Sequence, residues 1–256
     1  MNREWIKQYW FVIKELTGRE VKRKYSRSYL GILWSVLNPL LSMTVMSVIF
    51  STMFGRNIEN YPIYYLTGSI FWTMFTNATN SAMTALVDNR NLLIKTKLPT
   101  EIFPLTRAFT ALVNFGYSLI AYLIMLIVFR VQFSWYMLLI LLYGIGMFFF
   151  SVGLGYLLSV LYVLFGDIKH LYSVLLTLWM YMTALFYPIS STPEFVQRVI
   201  RENPVYNYVS AARKCVLEAA LPDTGEVIRM VFWAVGMYVF GKVMFRKMQS
   251  RILQKA

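Results

Sequence analysis

The chain has 256 residues, of which 58% are hydrophobic and only 14% charged; soluble domains carry about 25% charged residues, so its main solvent is lipid. The net charge of +13 does not point to nucleic acid, because the basic residues flank apolar stretches rather than forming one patch, and Lys and Arg beside a span set its orientation and meet anionic lipid. One cysteine, Cys215, and one histidine, His170, exclude an intrachain disulfide, a cysteine metal cluster and a histidine-rich metal site.

Residues 1–31 begin with an amphipathic segment, 3–17. Trp5, Tyr9, Val12, Ile13 and Leu16 share one helical face, and Arg3, Lys7 and Lys14 another. This predicts a helix lying on the membrane surface, closed by Gly18 as a C-cap. The segment lacks the uninterrupted apolar core of a cleavable signal peptide. Arg19, Lys22, Arg23, Lys24 and Arg27 follow as a basic stretch.

A helix needs about 20 mostly apolar residues to cross the hydrocarbon. Residues 32–54, 62–87, 104–129, 135–165, 171–188 and 227–245 supply six such stretches, so the expectation is an all-α membrane protein with six transmembrane helices in one domain. Residues 131–166 carry no charge and no turn signal, which predicts one long tilted helix. A polar segment covers 88–101. Residues 190–226, punctuated by Pro193, Pro204 and Pro222, read as two short amphipathic helices at the outer surface. With the N-terminus inside, eighteen of the 25 Lys and Arg residues fall on the inner side; the positive-inside rule then places both termini in the cytoplasm.

Several motifs resolve as decoys. Gly236-x4-Gly241-Lys242 imitates a phosphate-binding loop, but Val243 stands where Ser or Thr belongs and the segment is an apolar span. Asn77-Ala-Thr79 fits a glycosylation sequon at mid-membrane, where it has no meaning. Glu194, Glu202, Glu218 and Asp223 are the outer carboxylates that a membrane glycan enzyme would use, but no acid–base pairing is evident among them. The central thirds of the spans hold no Asp, Glu or His, which disfavours an ion-coupled carrier.

Polar uncharged residues do align. Ser69, Thr73, Asn77, Asn80 and Thr84 follow one face of the second span, and Ser35, Asn38 and Ser42 one face of the first. Such faces either bond between helices or line a hydrated conduit. Tyr172, Trp179 and Phe186 recur every seven residues on the fifth span: a stripe for lipid or core, or a lining on which sugar rings stack.

Residues 25–39 (YSRSYLGILWSVLNP) resemble the start of the first span in type-2 ABC exporter permeases for polysaccharides. Residues 91–95 (NLLIK) with 98–102 (LPTEI) and Pro104 resemble their coupling helix, and Phe186-Tyr-Pro-Ile189, Pro193-Glu194 and Asn203-Pro204 their outer segment. The resemblance covers nearly the whole chain in order. It implies a homodimeric permease, without cofactor or catalytic site of its own, in the bacterial cytoplasmic membrane. Two separate ATP-binding cassette subunits would bind ATP and Mg, and Asn91, Leu92, Leu93, Ile94 and Lys95 would couple them to the spans. The implied cargo is a polysaccharide on a polyprenyl pyrophosphate, drawn from membrane lipid. Arg23, Lys24 and Arg27 would meet that pyrophosphate, unless they are ordinary positive-inside flanks. The substrate path would be lined by Ser35, Asn38, Ser42, Asn77 and Asn80 with Tyr172, Trp179 and Phe186. A related permease for a drug or small lipid is the alternative.

Overall fold

The computed structural model describes residues 3–26, 29–54, 58–96 and 98–255; among these every regular element is helical. Helix α1 spans Arg3–Tyr25, α2 Leu33–Phe54, α3 Tyr61–Asp88, α4 Arg90–Lys95 and α5 Ile102–Val128. A 3-10 turn, Trp135–Leu138, leads into α6, Leu139–Leu164. Then come α7 (Ile168–Tyr181), α8 (Glu194–Glu202), α9 (Pro204–Leu217), α10 (Thr224–Lys247) and α11 (Gln249–Lys255).

Helix α3 is the central post. Asn60 caps its first turn, its side-chain oxygen accepting from the Ile63 N–H, and Pro62 occupies a first-turn position where no intrahelical N–H bond is lost. It packs against α2, α5, α6, α7 and α9. Phe71, Phe75, Ala78 and Leu86 are fully buried along it. Helices α6 and α10 form the second tight pair, because two glycines meet at their crossing. A Cβ on Gly241 would lie 2.0 Å from the Gly153 carbonyl oxygen, and one on Gly153 2.3 Å from the Met237 carbonyl oxygen. Gly241→Ala should therefore force the helices apart, costing about 3 kcal/mol or more, whereas Gly236→Ala, with nothing near its added methyl, should be neutral or slightly stabilising. Thermal midpoints and gel-filtration profiles of the two purified variants check this.

Within the long charge-free stretch, residues 135–164 run as one helix with a 3-10 entrance, in keeping with the lack of turn signals there, and residues 131–134 lead into it without regular structure. Gly18 does not cap α1: the helix continues through it to Tyr25. A mid-helix glycine costs about 1 kcal/mol, and tertiary contacts outweigh it. Ile13 and Tyr25 are buried, Trp10 meets Phe109 edge-on at 5.5 Å, and Glu20 pairs with Arg107 of α5 at 2.8 Å.

Four helical segments are long and apolar enough to cross a membrane: Leu33–Ser51, Ile102–Val128, Trp135–Leu164 and Thr224–Lys247. Helix α3 has the length, 28 residues, but its Ser, Thr and Asn residues dilute its hydropathy. The expected fifth span, 171–188, is a 14-residue helix, α7, of about 21 Å, followed by irregular backbone in which Ala184 has φ 48°. The second expected surface helix is also different: α9 is buried along most of its length between α3, α6 and α10, while α8 stays exposed and amphipathic.

These two departures have one cause. Irregular backbone survives at membrane depth only where protein satisfies its polar groups. Carbonyls of the broken segment are capped by side chains. Asn203 Nδ2 donates to Met182 O at 2.8 Å, Arg213 to Ala184 O and Leu185 O at 3.0 Å each, Tyr61 to Phe186 O and Tyr64 to Tyr187 O at 2.8 Å each. Arg213 sits on α9, so α9 has to enter the bundle for the break to exist. Its guanidinium also lies 3.4 Å from the Tyr64 ring centroid and donates to the Tyr64 carbonyl. Gly68 leaves room for it: a Cβ there would stand 2.8 Å from Arg213 Nη2.

Pro39 poses the same problem within α2. It removes the N–H that would bond the Ser35 carbonyl, and Ser118 of α5 donates its hydroxyl to that carbonyl at 3.4 Å.

Candidate functional site

A cleft of about 630 Å³ opens at the α4 end of the bundle, between the C-terminal turns of α1, the lower half of α3 and the start of α5. It is lined by Glu20, Arg23 and Lys24 from α1, Asn77, Ser81 and Asp88 from α3, and Arg107, Thr110, Ala111 and Asn114 from α5. Arg107 holds it together. Its Nη1 meets Glu20 Oε2 at 2.8 Å and its Nη2 meets Asp88 Oδ2 at 3.2 Å. Thr84 donates to the same Asp88 oxygen at 2.8 Å. Deeper in, Tyr25 donates to Asn114 Oδ1 at 2.7 Å, and Asn114 donates to the Thr110 carbonyl. The end of α1 is thereby fixed to α5 well inside the bundle. Partial burial of Lys24 lowers its pKa from the ordinary lysine value, and its ammonium faces the Tyr25 ring at 5.4 Å.

Arg23 and Lys24 thus share one cavity with Asn77. Arg27 lies outside the described residues. The polar face of α3 divides: Ser69 is buried, Thr84 half-buried, and Thr73, Asn77 and Asn80 are exposed. These three are the exposed residues of α3 between Tyr61 and Leu86. On α2, Asn38 and Ser42 are exposed; Ser35 is half-buried and donates to the Ile32 carbonyl.

The aromatic stripe is engaged inside the subunit. Tyr172 is buried and donates to Thr79 Oγ1 at 2.7 Å. Trp179 donates its Nε1–H to Asn203 Oδ1 at 2.8 Å and meets Phe75 edge-on at 5.0 Å. Phe186 stacks between Phe50 and Tyr65, at 5.8 and 5.9 Å. Helical period accounts for Tyr172 and Trp179, which lie on the face that α7 turns toward α3 and the α8–α9 junction, whereas Phe186 lies in the irregular segment beyond α7 and reaches its place between α2 and α3 from there.

Within α4, Leu93 is buried and Leu92 packs on the core, while Asn91, Ile94 and Lys95 face outward, Ile94 with 65% exposure. Two apolar residues anchor the short helix, and three others form a presented surface.

At the opposite end, Lys214 of α9 is held by Asp223 and Glu226 at 2.8 and 2.9 Å, and this pairing lowers the Asp223 pKa. Asp223 and Glu226 also form the capping box of α10. Glu194 is exposed and pairs loosely with Arg198 at 3.8 Å. These acids serve helix ends and ion pairs. Gly241 and Lys242 lie inside α10, where Gly241 packs on α6, so the phosphate-loop imitation has no loop.

Sequence reading passed over Arg213, the Glu20–Arg107–Asp88 cluster and the Tyr25–Asn114 bond. The signal for Arg213 was present, a cation inside an apolar run bounded by Pro204 and Leu217. Arg107 was counted only as an inner positive charge.

Residues 12–217 match the family model described as ABC-2 type transporter. The chain is 31% identical over 225 residues to the O-antigen export system permease protein RfbA of Myxococcus xanthus, covering 87% of this chain and 86% of the relative. It is 26% identical over 239 residues to the protein of the same name from Klebsiella pneumoniae, covering 90% and 91%. The polysialic acid transport protein KpsM of Escherichia coli is 21% identical over 255 residues, covering 94% and 95%. Near-complete alignment with these permeases, the apolar helices and the buried polar framework agree: the chain is a multi-pass membrane protein that belongs to the ABC-2 type transporter family.

Proposed function

We propose that this chain is the channel-forming subunit of an ATP-driven exporter. It moves a polysaccharide carried on a polyprenyl pyrophosphate from the cytoplasm to the outer face of a bacterial cytoplasmic membrane. The observation that carries the reading is the cleft that joins Arg23 and Lys24 to Asn77, below the exposed Thr73, Asn77 and Asn80 of an otherwise buried helix. Hydrocarbon cannot satisfy asparagine amides, so this face belongs to a hydrated path or a subunit interface. A basic mouth leading to a neutral polar wall suits an anionic anchor followed by a sugar chain. The exposed faces of α2 and α7, including Leu41, Val45, Val48, Val174 and Leu178, are where a second copy would close the conduit, with Asn38 and Ser42 beside it.

In this reading six segments traverse the membrane. Helix α3 crosses because its neighbours shield it, and α7 crosses as a short helix completed by the capped irregular segment. Both termini and α4 are cytoplasmic. Two ATP-binding subunits engage Asn91, Ile94 and Lys95, and supply the ATP and Mg chemistry. The polysaccharide relatives named above favour this cargo over a drug or small lipid.

Co-expression with an ATP-binding partner and purification in nanodiscs tests the reading. The expected product is a two-plus-two complex that hydrolyses ATP. Ile94→Asp should weaken partner retention by roughly tenfold, the loss of about 1.4 kcal/mol of apolar contact, while leaving the permease itself folded. Failure of any ATP-binding subunit to associate would reject the proposal.

A further inference from the structure

The mouth of the cleft contains a cation that is already occupied. Arg107 is bound by two carboxylates on two different elements: Glu20 on α1, whose side chain is 11% exposed, and Asp88 at the end of α3, 46% exposed. The cleft wall as a whole carries Arg23, Lys24 and Arg107 against Glu20 and Asp88. An arginine fork binds phosphate oxygens with the geometry it uses for a carboxylate. An anion entering between Arg23 and Lys24 therefore meets a third cation whose present partners are replaceable.

Resting on the proposed function of the cleft, we infer that Arg107 recognises the substrate's diphosphate by exchanging partners. The diphosphate displaces Glu20 and Asp88 from the guanidinium. Losing Glu20 removes the ion pair between α1 and α5 and leaves the helices joined by uncharged contacts such as Trp10–Phe109 and Tyr25–Asn114. Losing Asp88 frees the residue that lies two positions before α4 begins. Arrival of the anion is thereby registered at the entrance helix and at the partner-facing helix together. No covalent step is involved; one set of charge-assisted hydrogen bonds replaces another.

The two kinds of partner should respond with opposite sign. Glu20 and Asp88 compete with the ligand, whereas Arg107 binds it. The probe is a polyprenyl diphosphate, titrated into nanodiscs holding the full-length subunit and read by native mass spectrometry. Glu20→Gln and Asp88→Asn should each lower the half-saturating concentration about threefold or more, and Arg107→Gln should raise it about tenfold, the loss of one charge-assisted contact. Hydrogen exchange across residues 8–25 should rise on lipid binding in the wild type and be raised beforehand in Glu20→Gln. A merely structural ion pair predicts the same direction for all three variants, and that result would overturn the exchange. Asp88→Asn, at the more exposed end, keeps the test valid if Glu20→Gln does not fold. A wild type that saturates while both carboxylate variants shift less than about twofold also rejects the exchange but spares the entrance. A wild type that binds no polyprenyl diphosphate, or gives it up to an equal concentration of phosphatidylglycerol, rejects the entrance reading itself.

Discussion

Arg213→Ala is expected to destabilise the subunit by about 3–5 kcal/mol, a large share of the stability of a typical domain. The guanidinium is buried and has no carboxylate partner among the described residues; its charge is spread over three backbone carbonyls and the Tyr64 ring. The Tyr64 carbonyl lies within α3, so its loss is the smaller one. The Ala184 and Leu185 carbonyls follow the break in α7; the Leu185 carbonyl would be left buried without its donor, at about 1–3 kcal/mol, and the Ala184 carbonyl would keep the longer 3.5 Å bond from the Tyr64 hydroxyl. The cation–π contact contributes about 2 kcal/mol more when desolvated, and removal of the buried charge's own desolvation cost offsets part of the sum. Arg213→Met, which fills the space and donates nothing, should recover little. Arg213→Lys, with donors but no planar fork, should fall between. The thermal midpoint in nanodiscs should drop by roughly 10 °C or more for Arg213→Ala. A drop within 2 °C would mean that the broken segment satisfies its carbonyls in another way.

That arginine also marks how far the sequence could be read. The long helices were legible because apolar runs of span length have one solution in lipid. The end of α7 was not, since residues 182–188 are as apolar as the helix before them; what stops the helix is a set of donors from residues 61, 64, 203 and 213. Periodicity carries no trace of those distant partners. The depth of α9 was hidden for the same reason: residues 190–226 read as helices at the outer surface, and only the fold shows that Asn207 and Arg213 bond inside the bundle. At the cleft, the basic run from Arg19 was visible, but α1 was expected to stop at Gly18, and only its continuation to Tyr25 carries Arg23 and Lys24 beside Asn77. The polar face of α3 was legible as a face. Its division into the buried Ser69 and the exposed Asn77 and Asn80 follows from which neighbours α3 has, and those are set by residues far away in sequence.

The exposed pair gives the second large effect. Asn77→Leu/Asn80→Leu should reduce export at least about tenfold while leaving the subunit as stable as before or more so. The argument turns on what covers the two amides. Among the described residues neither Asn77 nor Asn80 has a side-chain hydrogen bond that holds elements together, unlike Asn114, which accepts from Tyr25 of α1, Asn203, which donates to the segment after α7, and Asn207, which accepts from Arg229 of α10. Leucine at these positions therefore removes no structural bond, and facing lipid it would remove an unsatisfied polar group that costs about 1–3 kcal/mol. Were the face lipid-covered, the double variant would be at least as active as the wild type. In a hydrated conduit the same change replaces groups that exchange hydrogen bonds with water and sugar hydroxyls by an apolar barrier. A loss of one such contact at each position, about 0.7 kcal/mol or more apiece, already amounts to tenfold. Asn77→Ser/Asn80→Ser, smaller but still polar, should retain most activity. The readout is polymer appearing at the cell surface, set against the thermal midpoint of the purified protein. Stability preserved with export lost places these residues on the path; export preserved with stability raised moves the conduit to another face.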